Sequence, residues 1–199
     1  MTRHVSRFVS RTTSRLALLV VMSVAGCGHS PATHYVTLNA APSGAPLATT
    51  HMAPVQLTAV HIPAVLDRPE VVTQVAPNRL AVDDGNHWGA PLAQMMRRTL
   101  AQDLTTRLPA GAFVFPDAPA PPDTRTLVVT VLDAEAATKT LTLQAGWTLL
   151  SGQPARATLT REVTLTSALT SSDATGQATA LSQILGELAD RIAASIVVR

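Results

Sequence analysis

Apolar residues recur in two rhythms along this chain, and the change of rhythm divides it into strands and helices. Val55, Leu57 and Ala59 alternate with polar neighbours, which predicts a strand over 55–62 that Pro63 ends. Asp67-Arg68-Pro69 carries turn chemistry. Short strands are predicted at 71–75 and 79–82 around the Pro77-Asn78 turn, with Asp83-Asp84-Gly85-Asn86 closing a hairpin-like region. From 90 to 108 the rhythm is helical. Leu92, Met96, Leu100, Leu104 and Leu108 fall every fourth position with Met95 beside them, while Gln94, Arg97, Arg98 and Gln102 occupy other faces. Pro91 suits a first turn and Pro109-Ala110-Gly111 stops the helix. Residues 112–115 read as a short strand, and 116–123, with four prolines, as a loop.

Three strand candidates follow. Leu127, Val129 and Val131 share one face of the first, and Leu141, Leu143, Ala145, Trp147 and Leu149 one face of the second. Leu159, Val163 and Leu165 mark the third, opposite a row of threonines. One apolar and one polar face on successive strands predicts an antiparallel meander with a wet side. A last helix is predicted over 177–197 from Leu181, Ile184, Leu185, Leu188, Ile192 and Ile196. The expected fold is α+β, a mainly antiparallel sheet with two amphipathic helices packed on one face. There is no internal repeat.

The first 53 residues follow neither rhythm. Arg3, Arg7, Arg11 and Arg15 precede an apolar run from Leu16 to Val24, then Ala25-Gly26-Cys27. This reads as a lipoprotein signal peptide over 1–26, with Cys27, the only cysteine, as the lipid attachment site. The run is about half of the roughly 20 residues a bilayer span needs. Gly28, rather than an aspartate, favours the outer membrane, facing the periplasm. Residues 27–53, rich in Pro, Ala, Gly, Ser and Thr, read as a flexible tether with a possible edge strand at 34–38, ahead of a single domain over 54–199.

Removing the leader changes the charge. It holds four of the 15 Lys+Arg and none of the 13 Asp+Glu, so residues 27–199 carry 11 basic and 13 acidic side chains, a net of −2. A nucleic-acid partner loses its support. No intramolecular disulfide can form from one cysteine, and with few aromatics the core must be aliphatic.

Catalytic patterns are missing. His29, His34, His51, His61 and His87 have no ligand spacing, so no metal and no cofactor is expected. Asp83 and Asp84 sit where backbone-bonding turn residues are expected, and there is no G-x-S-x-G or P-loop. Trp147 lies on an apolar strand face and reads as core. Trp88 precedes the first helix, as a packing staple or an exposed anchor for a partner. Arg68 either ties down its own turn or meets a partner.

Pro63-Ala64-Val65-Leu66-Asp67-Arg68-Pro69-Glu70-Val71-Val72 is more specific than turn chemistry requires. With Asn78-Arg79-Leu80, Trp88-Gly89-Ala90-Pro91-Leu92, Tyr35-Val36-Thr37-Leu38 and Leu143-Gln144-Ala145-Gly146-Trp147, it resembles the ABC-type transport auxiliary lipoproteins of the PqiC (YmbA) type. His87 departs from that pattern, where arginine or lysine is common. The resemblance implies a non-enzymatic subunit that docks an MCE-domain lipid transporter at the outer membrane and supports envelope integrity. Leu66, Asp67, Arg68, Pro69 and Trp88 are its candidate partner-binding residues, and a homo-oligomer is plausible on the same ground. Two other readings remain open: a lipoprotein that carries lipid in an apolar groove between sheet and helices, and an envelope hydrolase.

Overall fold

The computed structural model describes residues 32–42, 44–48, 52–76, 78–137 and 139–197. The signal peptide read at 1–26 and its Cys27 lie outside them. In chain order the elements are β1 (His34–Val36), β2 (Val55–His61), β3 (Glu70–Ala76), β4 (Arg79–Trp88), α1 (Leu92–Arg107), β5 (Phe113–Val114), β6 (Arg125–Ala136), β7 (Thr140–Ser151), β8 (Arg156–Ala168) and α2 (Ala174–Val197).

The alternating segments build a five-stranded sheet in the order β5-β2-β6-β7-β8. β6, β7 and β8 form the expected antiparallel meander. Leu141, Leu143, Ala145, Trp147 and Leu149 of β7 are all buried, as period-two alternation requires. The sheet is mixed, however, because β2 runs parallel to both β5 and β6. The long excursion through the β3–β4 hairpin and α1 returns the chain to the end of the sheet where β2 began, and a parallel pairing needs such a crossover. A second sheet, in the order β1-β4-β3, is also mixed.

The first helix buries a row of leucine and methionine, the second a row of leucine and isoleucine. Leu100 and Leu104 of α1, and Leu185, Leu188 and Ile192 of α2, are fully enclosed. Each such side chain contributes about 1.5–3 kcal/mol. α1 contacts β2 and α2, and α2 contacts β7 and β8. Trp147 Nε1 donates to Ser195 Oγ of α2 at 3.1 Å, which satisfies the polar end of a buried ring.

Two boundaries differ from the sequence reading. α2 begins at Ala174, three residues before the expected 177. Asp173 accepts from the Gly176 N–H at 2.8 Å and from Ser171 Oγ at 2.6 Å, so a capping carboxylate starts the helix through weak helix formers. Those bonds, the serine first, hold its carboxyl below the usual carboxylate range. Gly176 is required here, since a Cβ would meet the Ser171 carbonyl oxygen at 2.0 Å.

Asp83-Asp84-Gly85-Asn86 is not a closing turn. β4 runs through it to Trp88. Val71 pairs with Asp83 but Glu70 pairs with His87, so the intervening residues bulge away from β3. Asp83 Oδ1 accepts from the Gly85 N–H at 3.1 Å and Oδ2 from Asn86 Nδ2 at 2.8 Å. The local bonding is what the sequence suggests, spent on a bulge beyond which β4 pairs with β1 on one side while keeping β3 on the other.

Part of the segment read as a tether lies against the helices. Leu38 is buried. The Asn39 N–H donates to Ser182 Oγ of α2 at 3.2 Å, and the Ala41 N–H to Asp103 Oδ1 of α1 at 2.9 Å. The Leu47 N–H donates to the Arg107 carbonyl at 2.9 Å. Arg107 also donates to the Ala45 carbonyl and pairs with Asp190 of α2. Gly186 makes room, because a Cβ there would meet the Ala41 carbonyl oxygen at 2.0 Å. Residues 38–42 and 44–47 thus strap the two helices together.

Candidate functional site

The most specific sequence stretch, Pro63 to Pro69, forms the loop between β2 and β3. Its shape is set by backbone bonds. The Leu66 N–H donates to the Pro63 carbonyl at 2.9 Å and the Asp67 N–H to the Ala64 carbonyl at 3.3 Å. The Trp88 N–H donates to the Pro69 carbonyl at 2.7 Å, which fastens the loop to the end of β4. The Gly89 N–H in turn donates to the Val36 carbonyl at 2.8 Å, so β1 is tied to the same corner.

The five residues singled out from sequence meet here but present themselves differently. Trp88 is 8% exposed and belongs to the core. Leu66 is half-buried and packs against that core. Between the loop, β3, the end of β6 and both helices lies an apolar cavity of about 40 Å³, lined by Leu66, Trp88, Leu92, Leu141 and Leu181 among others. It has room for about three waters at most, far less than an acyl chain. Asp67, Arg68 and Pro69 are exposed. Arg68 Nε donates to Glu70 Oε2 at 2.8 Å. That hydrogen bond is the main reason the Glu70 carboxyl sits below its ordinary range.

Sequence reading missed the apolar surroundings of this loop. Val65 and Leu80 are 48% and 44% exposed. Together with Leu66, Arg79 and Asp133 they line a notch of about 420 Å³ between the loop, the β3–β4 hairpin and β6. Asn78, at φ 60, makes the hairpin turn that aims Arg79 and Leu80 at it. The signal was present, since Asn78-Arg79-Leu80 is one of the short motifs singled out from sequence, but spacing alone does not join it to Val65. Tyr35, 70% exposed, meets His87 edge-on with ring centroids 5.9 Å apart.

A rigid loop with a charged crest beside an apolar notch suits protein recognition. Among the described residues, no group of three His, Cys, Asp or Glu side chains could hold a metal.

A model of the ABC-type transport auxiliary lipoprotein component family matches residues 36–193. The chain belongs to that family. The match starts within β1 and ends in the last turns of α2, so it takes in both sheets, both helices and the strap. Two crystal structures share the fold. One, of an uncharacterized protein, is 22% identical, with a TM-score of 0.68 over 83% of this chain and 99% of its own. The other, protein XCC0632 from Xanthomonas campestris, is 17% identical, with a TM-score of 0.64 over 83% of this chain and 95% of its own. No curated protein matches the chain. Among the described residues, no helix is long and apolar enough to cross a membrane. The chain is therefore a lipoprotein-family component that serves an ABC-type transporter.

Proposed function

We propose that this protein is a non-enzymatic, periplasm-facing subunit of an MCE-type lipid transport system, anchored in the outer membrane through a lipid on Cys27. In this role it docks the transporter and supports envelope integrity. The observation that carries the reading is the family match over 36–193, taken with the exposed crest Asp67-Arg68-Pro69 that it contains. Asp67 and Arg68 make the polar contacts with the transporter, and Val65 and Leu80 flank them with apolar area. Leu66 and Trp88 support the crest from beneath. A buried Trp88 holds the loop through its backbone N–H and its ring rather than reaching the partner itself.

Crosslinking in whole cells, followed by purification of the lipidated chain, tests the proposal. Wild type brings down an MCE-domain protein, and the Asp67→Ala/Arg68→Ala double variant brings down much less at equal abundance. Equal recovery would remove the loop from the interface.

A further inference from the structure

The large sheet is left incomplete on one side. β5 pairs only with Val55 and Gln56 of β2, so among the described residues Leu57 to His61 have no neighbouring strand beyond them. An open strand edge presents unpaired backbone donors and acceptors, and proteins usually shorten, charge or cover it. Here the edge opens onto a groove of about 820 Å³ between Thr58–Val60 of β2, the outer face of α1 and the Phe115–Asp117 turn.

The far wall of this groove is built, not slack. Gln56 Nε2 donates to the Phe115 carbonyl at 3.0 Å and to the Ala118 carbonyl at 2.8 Å. Asp117, at φ 64, turns back to pair with Arg97 at 2.6 Å. Arg97 also donates to the Thr58 carbonyl at 3.2 Å, so a side chain rather than a strand occupies one acceptor of the open edge. Phe115 is 55% exposed above the groove, set edge-on to Phe113 at 6.0 Å. Ala93, Met95 and Ala101 make an apolar floor. Arg98 is exposed at the rim with no acidic partner among the described ion pairs.

We propose that this groove takes an extended acidic segment of a partner protein, which adds to the free edge of β2 as a further strand. The backbone supplies the pairing, as in other strand-addition complexes. Phe115 and the alanine floor accept alternate apolar side chains. Arg98 selects for a carboxylate, and Arg97, kept in place by Asp117, gives up the Thr58 carbonyl to the incoming backbone. The groove is a different surface from the Pro63–Pro69 loop, so it does not depend on the identity of the transporter.

The test uses the folded, isotope-labelled chain and three short end-blocked peptides that alternate valine with aspartate, lysine or serine. The aspartate peptide should shift the amides of Leu57–His61 and bind about tenfold more tightly than the lysine peptide at low salt. Arg98→Glu should reverse that order, and Phe115→Asp should weaken all three, with the folded spectrum otherwise kept. The proposal is overturned if no peptide shifts β2, or if Arg98→Glu leaves the preference unchanged. It is likewise overturned if light scattering shows the groove filled by a second copy of this chain, or if anionic vesicles compete for it while peptides do not.

Discussion

Asp103 is a carboxylate with no exposed surface inside the helix pair. Its Oδ1 accepts from the Ala41 N–H, and its Oδ2 has no partner. Burial, and behind it the nearby Asp190 carboxylate, push its pKa up to about 6, against the pull of the Ala41 bond. Arg107 faces the same region but is engaged by Asp190 and the Ala45 carbonyl. Between the unfolded value of about 3.9 and a folded value near 6, the folded chain therefore binds more protons than the unfolded one. Stability is full below that window and falls as pH rises through it. Asp103→Asn keeps an acceptor for Ala41 and loses the charge. Urea midpoints compared from pH 4 to 8 should show wild type losing on the order of 2 kcal/mol relative to the variant across that range. Parallel curves would mean that Asp103 does not titrate there. At the other end of the core, Trp88→Ala should cost about 3–5 kcal/mol, because it empties a packed corner next to an existing cavity. Arg68→Ala should leave the thermal midpoint within about 2 °C, since its ion pair with Glu70 is solvent-screened. Which tryptophan is core was legible only for Trp147, which has a strand face to be read from. Trp88 stands between two elements, and its burial is decided by what the Pro63–Pro69 loop does far from it in sequence.

At the scale of elements, the strap is the clearest device that composition hides. Between Leu38 and Leu47 the residues are small, polar or proline, and nothing in their order says that this segment's backbone meets two helices. The positions that receive them are on α1 and α2: Asp103, Arg107, Ser182 and Gly186. A buried aspartate and a glycine inside an apolar helix were the available signals, and both face the strap rather than the sheet. Gly186→Ala drives a methyl into the Ala41 carbonyl. It should lower stability by about 1–3 kcal/mol, despite alanine's better helix propensity. The Ala41 amide should also exchange faster with solvent. A rise in stability with unchanged exchange would show that the strap is not seated on α2. The meander, by contrast, was legible strand by strand, because each of β6, β7 and β8 carries its own alternation. The parallel placement of β2 was not, since alternation is the same for either direction. β4 was cut short for a similar reason: an Asp-Asp-Gly-Asn run serves a bulge as well as a turn.

For the whole molecule, the family relation rests on the match over residues 36–193, and the structure gives several of the short motifs within that span a physical reason. Leu66 and Trp88 close one corner of the core, and Leu143, Ala145 and Trp147 form the buried face of β7. Pro69 has a structural use through its carbonyl bond to the Trp88 N–H, whereas the side chains of Asp67 and Arg68 are exposed and make only the Arg68–Glu70 pair, and these two are the ones we assign to the transporter. The anchor makes a separate prediction. Cys27→Ser should leave the folded domain intact and shift the protein from membranes to the soluble fraction on cell fractionation. Loss of the folded domain instead would give Cys27 a structural role.

In the function we propose, the exposed crest of the Pro63–Pro69 loop docks an MCE-domain transporter. The most direct test is the recovery of that transporter with the detergent-extracted, full-length protein, compared between wild type and the Asp67→Ala/Arg68→Ala variant. An MCE-domain protein is expected with wild type, and a loss of about tenfold or more with the variant, at an unchanged thermal midpoint. Repeated purifications that recover no MCE-domain protein with wild type would contradict the proposal.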